Sequence, residues 1–196
     1  RGTDLGRQFA DRADLVGDRS EVVAVEPGRQ LALVDTAAAR AQPVAVLLEE
    51  CGRIGARRIH ILTSGFKELG TERGRLLEER IASIARENGL LIMGPNCMGP
   101  YSPAAGLTAW GAIPGARGPL GVISQSGSIT QRLTECAFSL GVGTDKAVSV
   151  GNGTVLGSLD FLEFMGEDDG IRVIAMYIEG IEDGERLAER IRKVRR

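Results

Sequence analysis

The residues best placed to do chemistry in this chain lie in short polar runs, each closing an apolar stretch. Ser124-Gln125-Ser126-Gly127-Ser128 ends a strand read over residues 121–124 and opens a helical pattern near Ile129. Strand, small polar turn and helix make an anion trap. Small residues let a ligand approach the backbone, the N–H groups of a helix's first turn lack internal acceptors, and the helix dipole adds positive potential. Phosphate or carboxylate would bind there. The same residues also read as an ordinary N-cap, for which serine is preferred, and spacing does not decide between the two. A hydrolase nucleophile elbow is excluded, because G-x-S-x-G needs glycine where Ser124 stands.

Gly94-Pro95-Asn96-Cys97-Met98-Gly99-Pro100 directly follows a strand read over residues 90–93. Ligands of parallel sheets sit at strand C-terminal ends, so Asn96 is placed to hydrogen-bond one. Cys97 is not read as a nucleophile: the sole histidine, His60, falls mid-strand, and nothing nearby marks a base for the thiol. Thr63-Ser64-Gly65-Phe66-Lys67-Glu68 is a third strand-end run, open to a ligand role or to that of a plain turn. Tyr177-Ile178-Glu179-Gly180 ends an apolar strand with a carboxylate, which is costly to bury unpaired and so faces a cleft, caps a helix or meets a partner. Gly2-Thr3-Asp4-Leu5-Gly6-Arg7 is a weaker signal, two glycines that fit the end of a phosphate loop.

These runs need a scaffold, and the periodicity supplies one. Short apolar stretches predict strands over 21–25, 31–34, 58–63, 90–93, 121–124, 147–150 and 173–178. Amphipathic stretches predict helices over 4–16, 43–54, 72–88, 128–140, 156–165 and 184–194, each between two strands. That alternation specifies an α/β fold with buried parallel strands. Pro43 suits a first helical turn, and Gly55 and Gly89 suit helix stops. Between residues 94 and 119 the prolines at 95, 100, 103, 114 and 119 leave no room for a regular element, so this stretch reads as the linker of two α/β units.

The chain has 196 residues, with 43% hydrophobic and 26% charged, the balance of a globular protein with a core. Lys and Arg total 24 against 26 Asp and Glu, so no broad basic field exists for nucleic acid or an anionic membrane, and any anion site is local. Cys51, Cys97 and Cys136 lack the spacing of a disulfide framework or zinc site, so no metal is expected. With no apolar run of about 20 residues and no signal-peptide pattern at the start, the expectation is a cytoplasmic protein.

Taken in order, the motifs resemble the NDP-forming acyl-CoA synthetase family, which includes succinyl-CoA synthetase α chains and ADP-forming acetyl-CoA synthetases. Residues 63–68 resemble its T/S-x-G-F turn, 94–99 its G-P-N-C-x-G turn, and 121–127 its V-S-Q-S-G motif. Gly151-Asn152 and residues 177–180 resemble its strand-end G-N and Y-x-E-G. The resemblance implies a Rossmann-like CoA-binding domain over 1–105, a linker over 106–119 and a flavodoxin-like ligase domain over 120–196, both domains incomplete. It further implies that Thr63, Ser64, Gly65, Asn96 and Cys97 handle CoA, while Ser124, Gln125, Ser126, Gly127 and Ser128 hold phosphate. Glu179 would be the catalytic carboxylate that holds a phosphohistidine. Acyl-CoA, phosphate and nucleoside diphosphate would pass through acyl phosphate and that histidine to acid, CoA and nucleoside triphosphate. A small carboxylic acid would share the site with CoA. ADP or ATP with magnesium would come only through a β-type ATP-grasp subunit or fused domain.

The sequence departs from the family pattern in two places. No histidine follows residue 180, and His60 cannot replace it, being upstream and within a strand. At the front, Glu26-Pro27-Gly28 looks like the family's second strand end, after which Leu31 arrives early. The expectation is therefore an enzyme part, inactive as this chain alone. The alternative is a non-catalytic module that senses CoA or acyl-CoA without a phosphohistidine.

Overall fold

The structure is a computed structural model and describes residues 22–25, 31–34, 42–109, 116–181 and 183–194. The helix expected over 4–16, the run 2–7 and the strand end at 26–28 lie outside the described residues. The chain divides into two compact units, Arg1–Ile92 and Met93–Arg196. Residues 93–105, assigned on sequence to the first domain, pack with the second unit.

In the first unit, strands β1 (Val22–Val25), β2 (Leu31–Val34), β3 (Arg58–Ile61) and β4 (Leu91–Met93) stand side by side in that order. Strands β2 and β3 run parallel, from Leu31 opposite Arg58 to Val34 opposite Ile61. Strand β1 runs antiparallel to β2, contrary to the all-parallel expectation. Helix α1 (Gln42–Ile54) buries Val44, Leu48 and Cys51, four and three residues apart on one face. Helix α2 (Glu72–Asn88) buries Glu78, Ile81, Ile84 and Ala85 in the same rhythm. Thr71 caps its start through the Gly74 N–H, and Gly89, at φ 62, closes its end in the left-handed region.

In the second unit the sheet order is β6-β5-β8-β7-β9. Its strands are β5 (Gly99–Ser102), β6 (Leu107–Thr108), β7 (Leu120–Ser124), β8 (Thr144–Ser149) and β9 (Val173–Tyr177). Strand β7 is parallel to both β8 and β9, as expected. Strand β5, in the proline-rich stretch read as linker, instead pairs antiparallel with β8 and β6. Its Pro100 lacks an N–H, yet the Pro100 carbonyl still accepts from Ala109 at 3.1 Å.

Side-chain alternation divides the second core between the two sheet faces. Val122 and Ala147 face one way with Tyr101, against Leu133 of helix α3 (Gly127–Ser139). Ile123 and Val148 face the other, with Leu162 and Met165 of helix α4 (Ser158–Gly166) and Leu187 of helix α5 (Gly184–Val194). Helices on both faces of a mixed sheet, parallel over β8, β7 and β9, give the doubly wound architecture. No described helix is long and apolar enough to cross a membrane.

The end of β8 fits against the turn after β4 only because residue 151 is glycine. Gly151 has φ +57, and a Cβ on it would lie 2.3 Å from the carbonyl oxygens of both Pro95 and Asn96. Close approach lets Asn152 N–H donate to Pro95 O at 3.0 Å and Thr154 N–H to Gly94 O at 3.2 Å. Gly151→Ala should therefore cost about 2–4 kcal/mol of stability, combining left-handed strain with a backbone clash. Gly180, whose added Cβ would meet nothing within 4 Å, is the control, and Gly180→Ala should stay within about 0.5 kcal/mol. Urea unfolding followed by far-UV circular dichroism measures both.

Candidate functional site

The ends of three neighbouring strands lie level at one edge of the second sheet. Ser124 of β7 stands opposite Ser149 of β8 and Tyr177 of β9. Two backbone bonds carry the alignment past the strands: Val150 N–H to Ser124 O at 2.8 Å, and Gln125 N–H to Tyr177 O at 3.0 Å. Any group on these ends is held by the central, buried strand.

The expected phosphate-binding run separates into distinct roles. Ser124 is fully buried; its hydroxyl donates to Ser126 O at 2.7 Å and accepts from Ser126 N–H at 3.0 Å. That hydroxyl shapes the turn rather than facing a ligand. Ser126 is the N-cap of α3, its Oγ accepting from Ile129 N–H at 3.5 Å and lying 3.2 Å from Ser128 Oγ. The N–H groups of Gly127 and Ser128 fall in the first turn, where the helix offers no acceptor. A Cβ on Gly127 would lie 2.5 Å from the Met98 side chain, so glycine there lets the turn of residues 94–99 pack on the helix start.

Gln125 differs from the expectation most. Its Oε1 accepts from the N–H groups of Glu179 and Gly180, the latter at 3.0 Å, and its Nε2 donates to Gly180 O at 2.8 Å. The side chain grips the backbone of residues 179–180. Glu179 is itself exposed at this strand end. Sequence reasoning missed the grip because it joins residues 54 and 55 positions apart.

In the turn after β4, Asn96 is exposed with φ 57, a left-handed position that asparagine tolerates, and its Nδ2 donates to Asn152 Oδ1 at 3.3 Å. Met98 N–H donates to Ser149 Oγ at 3.2 Å. Cys97 is buried, with 4% of its surface exposed, and desolvation pushes its thiol up to about 12. Its sulfur is therefore neither offered to a ligand nor ionised near neutral pH.

The first unit's turn after β3 holds Thr63, 8% exposed, then exposed Ser64 and Gly65 at φ 111. Its backbone donors meet its own carboxylates: Glu68 Oε1 accepts from Gly65 N–H and from Phe66 N–H at 3.0 Å. Buried Glu78 accepts from Lys67 N–H at 3.2 Å and pairs with Lys67 Nζ at 2.9 Å. The signal for Glu78 was present in the sequence, as an acidic residue on the otherwise apolar face of residues 78, 81, 84 and 85. Among the described residues, no group of three His, Cys, Asp or Glu side chains could hold a metal ion.

A doubly wound sheet with a glycine- and serine-rich helix start at its C-terminal edge defines a flavodoxin-like domain. Residues 117–196 match the family described as succinyl-CoA ligase like flavodoxin domain. The chain is 39% identical over 149 residues to the acetate–CoA ligase [ADP-forming] I subunit alpha of Pyrococcus furiosus, covering 76% of this chain and 32% of that protein. It is 33% identical to the 4-hydroxybutyrate–CoA ligase [ADP-forming] of Nitrosopumilus maritimus, over 72% of this chain and 21% of that one. The dinucleotide-forming acetyl-coenzyme A synthetase 1 of Ca. Korarchaeum cryptofilum, solved with phosphate and ADP, superimposes with a TM-score of 0.76 at 30% identity, over 87% of this chain and 36% of its own. By sequence and fold the chain belongs to the NDP-forming acyl-CoA synthetase family. It spans about a third of the length of the Pyrococcus relative.

The thiols give a direct check of this geometry. Iodoacetamide at pH 8 should label exposed Cys136 while buried Cys51 and Cys97, whose thiols burial pushes up, stay unmodified until the protein unfolds; peptide mass mapping reads the result. The raised Cys97 value also sets a pH window. A thiol held above its ordinary 9.0 adds stability that is fully present below pH 9 and lost as pH rises toward 12.

Proposed function

We propose that this chain is the CoA- and phosphate-handling part of an NDP-forming acyl-CoA ligase. The observation that carries the reading is the level edge of β8, β7 and β9: the helix start that follows β7, with the first-turn N–H groups of Gly127 and Ser128, neighbours the chain that leaves β9 at Tyr177 and carries Glu179. An acyl phosphate or inorganic phosphate would accept hydrogen bonds from those N–H groups and from the Ser126 and Ser128 hydroxyls. Glu179 would accept the ring N–H of a phosphorylated histidine and fix its tautomer, which leaves the other ring nitrogen to carry the phosphoryl group. His60 cannot be that carrier, because it is buried within β3.

The relatives' names support CoA as the thiol partner and a nucleoside diphosphate as the final acceptor. Each unit carries candidate CoA-facing residues of its own: Thr63, Ser64 and Gly65 in the first, Asn96 and the backbone of Cys97 in the second. The nucleotide and its magnesium would be held by an ATP-grasp domain, supplied as a β-type subunit or a fused segment. A small carboxylic acid completes the reaction, and the relatives span acetate and 4-hydroxybutyrate.

Backbone amide spectra of the labelled chain during titration with inorganic phosphate or acetyl phosphate test the anion site. The Gly127 and Ser128 amides should shift first, and their silence at millimolar ligand would remove phosphate from the reading. In a ligase assembled around these residues, Glu179→Gln should lower phosphohistidine formation about a hundredfold, because a neutral amide accepts the ring N–H more weakly and can turn its NH2 to the ring, which no longer fixes the tautomer. Acid-labile labelling from acyl phosphate measures it, and normal labelling would dismiss Glu179 from the mechanism.

A further inference from the structure

We infer that Gln125 is a positioning residue rather than an anion ligand: its side-chain amide substitutes for a missing strand partner and holds the backbone of Glu179 beside the start of α3. The inference builds on the reading of Glu179 as the carboxylate that works next to phosphate.

The β7–β9 ladder ends with Ser124 opposite Tyr177, and the Gln125 N–H to Tyr177 O bond at 3.0 Å extends it by one step. Beyond that point the main chain after β7 turns into α3 at Gly127, so β7 offers residues 178–180 no further backbone neighbour. The Gln125 side chain fills this place. It receives two N–H groups, from Glu179 and Gly180, on Oε1 and returns one N–H to Gly180 O at 2.8 Å, as an adjoining strand would.

Few side chains can do this. Oε1 has two lone pairs and both are engaged, while Nε2 has two hydrogens and one is engaged. Rotating the amide by half a turn would set an NH2 group against two N–H groups, so the network fixes the orientation. At most one donor remains for a ligand. Glutamate could accept from both N–H groups but not donate to Gly180 O; lysine and arginine could accept nothing; asparagine is one methylene shorter. Glutamine alone combines the acceptor, the donor and the reach.

The turn residue that precedes the helix cap thus ties the anion-facing helix start to the carboxylate strand end. Occupancy at Gly127 and Ser128 is transmitted to Glu179 through one side chain, and the two halves of the site move as a unit.

Amide hydrogen exchange on the whole labelled chain separates the variants. Gln125→Met keeps the length and removes both polar functions. It should speed exchange at Glu179 and Gly180 by about tenfold or more, the loss of two hydrogen bonds, while Val122 and Ile123 in β7 keep their protection. Gln125→Glu should restore most of that protection, since the acceptor returns. Unchanged exchange at Glu179 and Gly180 in Gln125→Met would overturn the proposal, as would an equal acceleration through β7, which would mark a general packing role.

The phosphate titration supplies a second readout that packing alone would not move. In the unmodified chain, phosphate should shift Glu179 and Gly180 together with Gly127 and Ser128; in Gln125→Met only the latter pair should respond. A response at Gly127 and Ser128 that never reaches Glu179 in the unmodified chain overturns the positioning role. No response at Gly127 and Ser128 in any variant overturns the phosphate reading instead, and the exchange rates then decide the clamp by themselves.

Discussion

The second unit depends on β7, a buried strand with a parallel partner on each side and a polar C-terminal end. Val122 and Ile123, both fully buried, point to opposite faces and bring the strand against α3 on one side and α4 on the other. Complete burial of such side chains stabilises by about 1.5–3 kcal/mol each, far more than any single polar bond at the edge. The apolar strand therefore sets where the polar residues go. Ser124, Gln125 and Ser126 inherit their positions from it.

What happens at that end follows from the geometry of a strand turning into a helix. A parallel strand needs backbone partners until it stops, whereas the helix that follows leaves donors unmet in its first turn. Ser124 resolves the first problem locally by bonding both the N–H and the O of Ser126. Gln125 resolves it across the sheet, on residues 179–180. The donors of Gly127 and Ser128 are left over, and leftover N–H groups beside a helix dipole are what an anion recognises. The phosphate binding proposed for this edge follows from how the strand ends.

The architecture was legible in the sequence because local signals agree with the fold. Helix α2 was read at its observed limits, since the Thr71 cap, the apolar stripe and the Gly89 stop mark both ends. Strand β5 was not legible. Gly99 and Pro100 are poor strand formers by local criteria, and only pairing with β8, about fifty residues away, holds them extended. The strand ends that make up the candidate site were legible as positions, because small polar runs after apolar stretches mark them. The division of labour within it was not, since a glutamine that binds an anion and one that binds a neighbouring backbone look the same in sequence. Cys97 shows the same limit: composition cannot tell a thiol at a strand end from one turned 96% out of solvent.

The two polar turns most alike in sequence differ in what they leave free. Around residues 65–67, three successive N–H groups already meet carboxylates, two on Glu68 and one on Glu78. An anionic ligand there would have to displace a bound carboxylate and would meet the negative charge it displaced, a double penalty in a partly buried turn. What remains open is the exposed Ser64 and the surface of Gly65, suited to a neutral amide or hydroxyl. At residues 126–128 no carboxylate of the turn itself competes: the Ser126 hydroxyl takes up Ile129 N–H, and the N–H groups of Gly127 and Ser128 have no acceptor within the helix. The sequence of each turn thus sorts ligand chemistry by charge, and the proposed function uses that sorting: it assigns neutral stretches of a cofactor to Thr63, Ser64 and Gly65, and the phosphoryl group to the helix start that β7 holds.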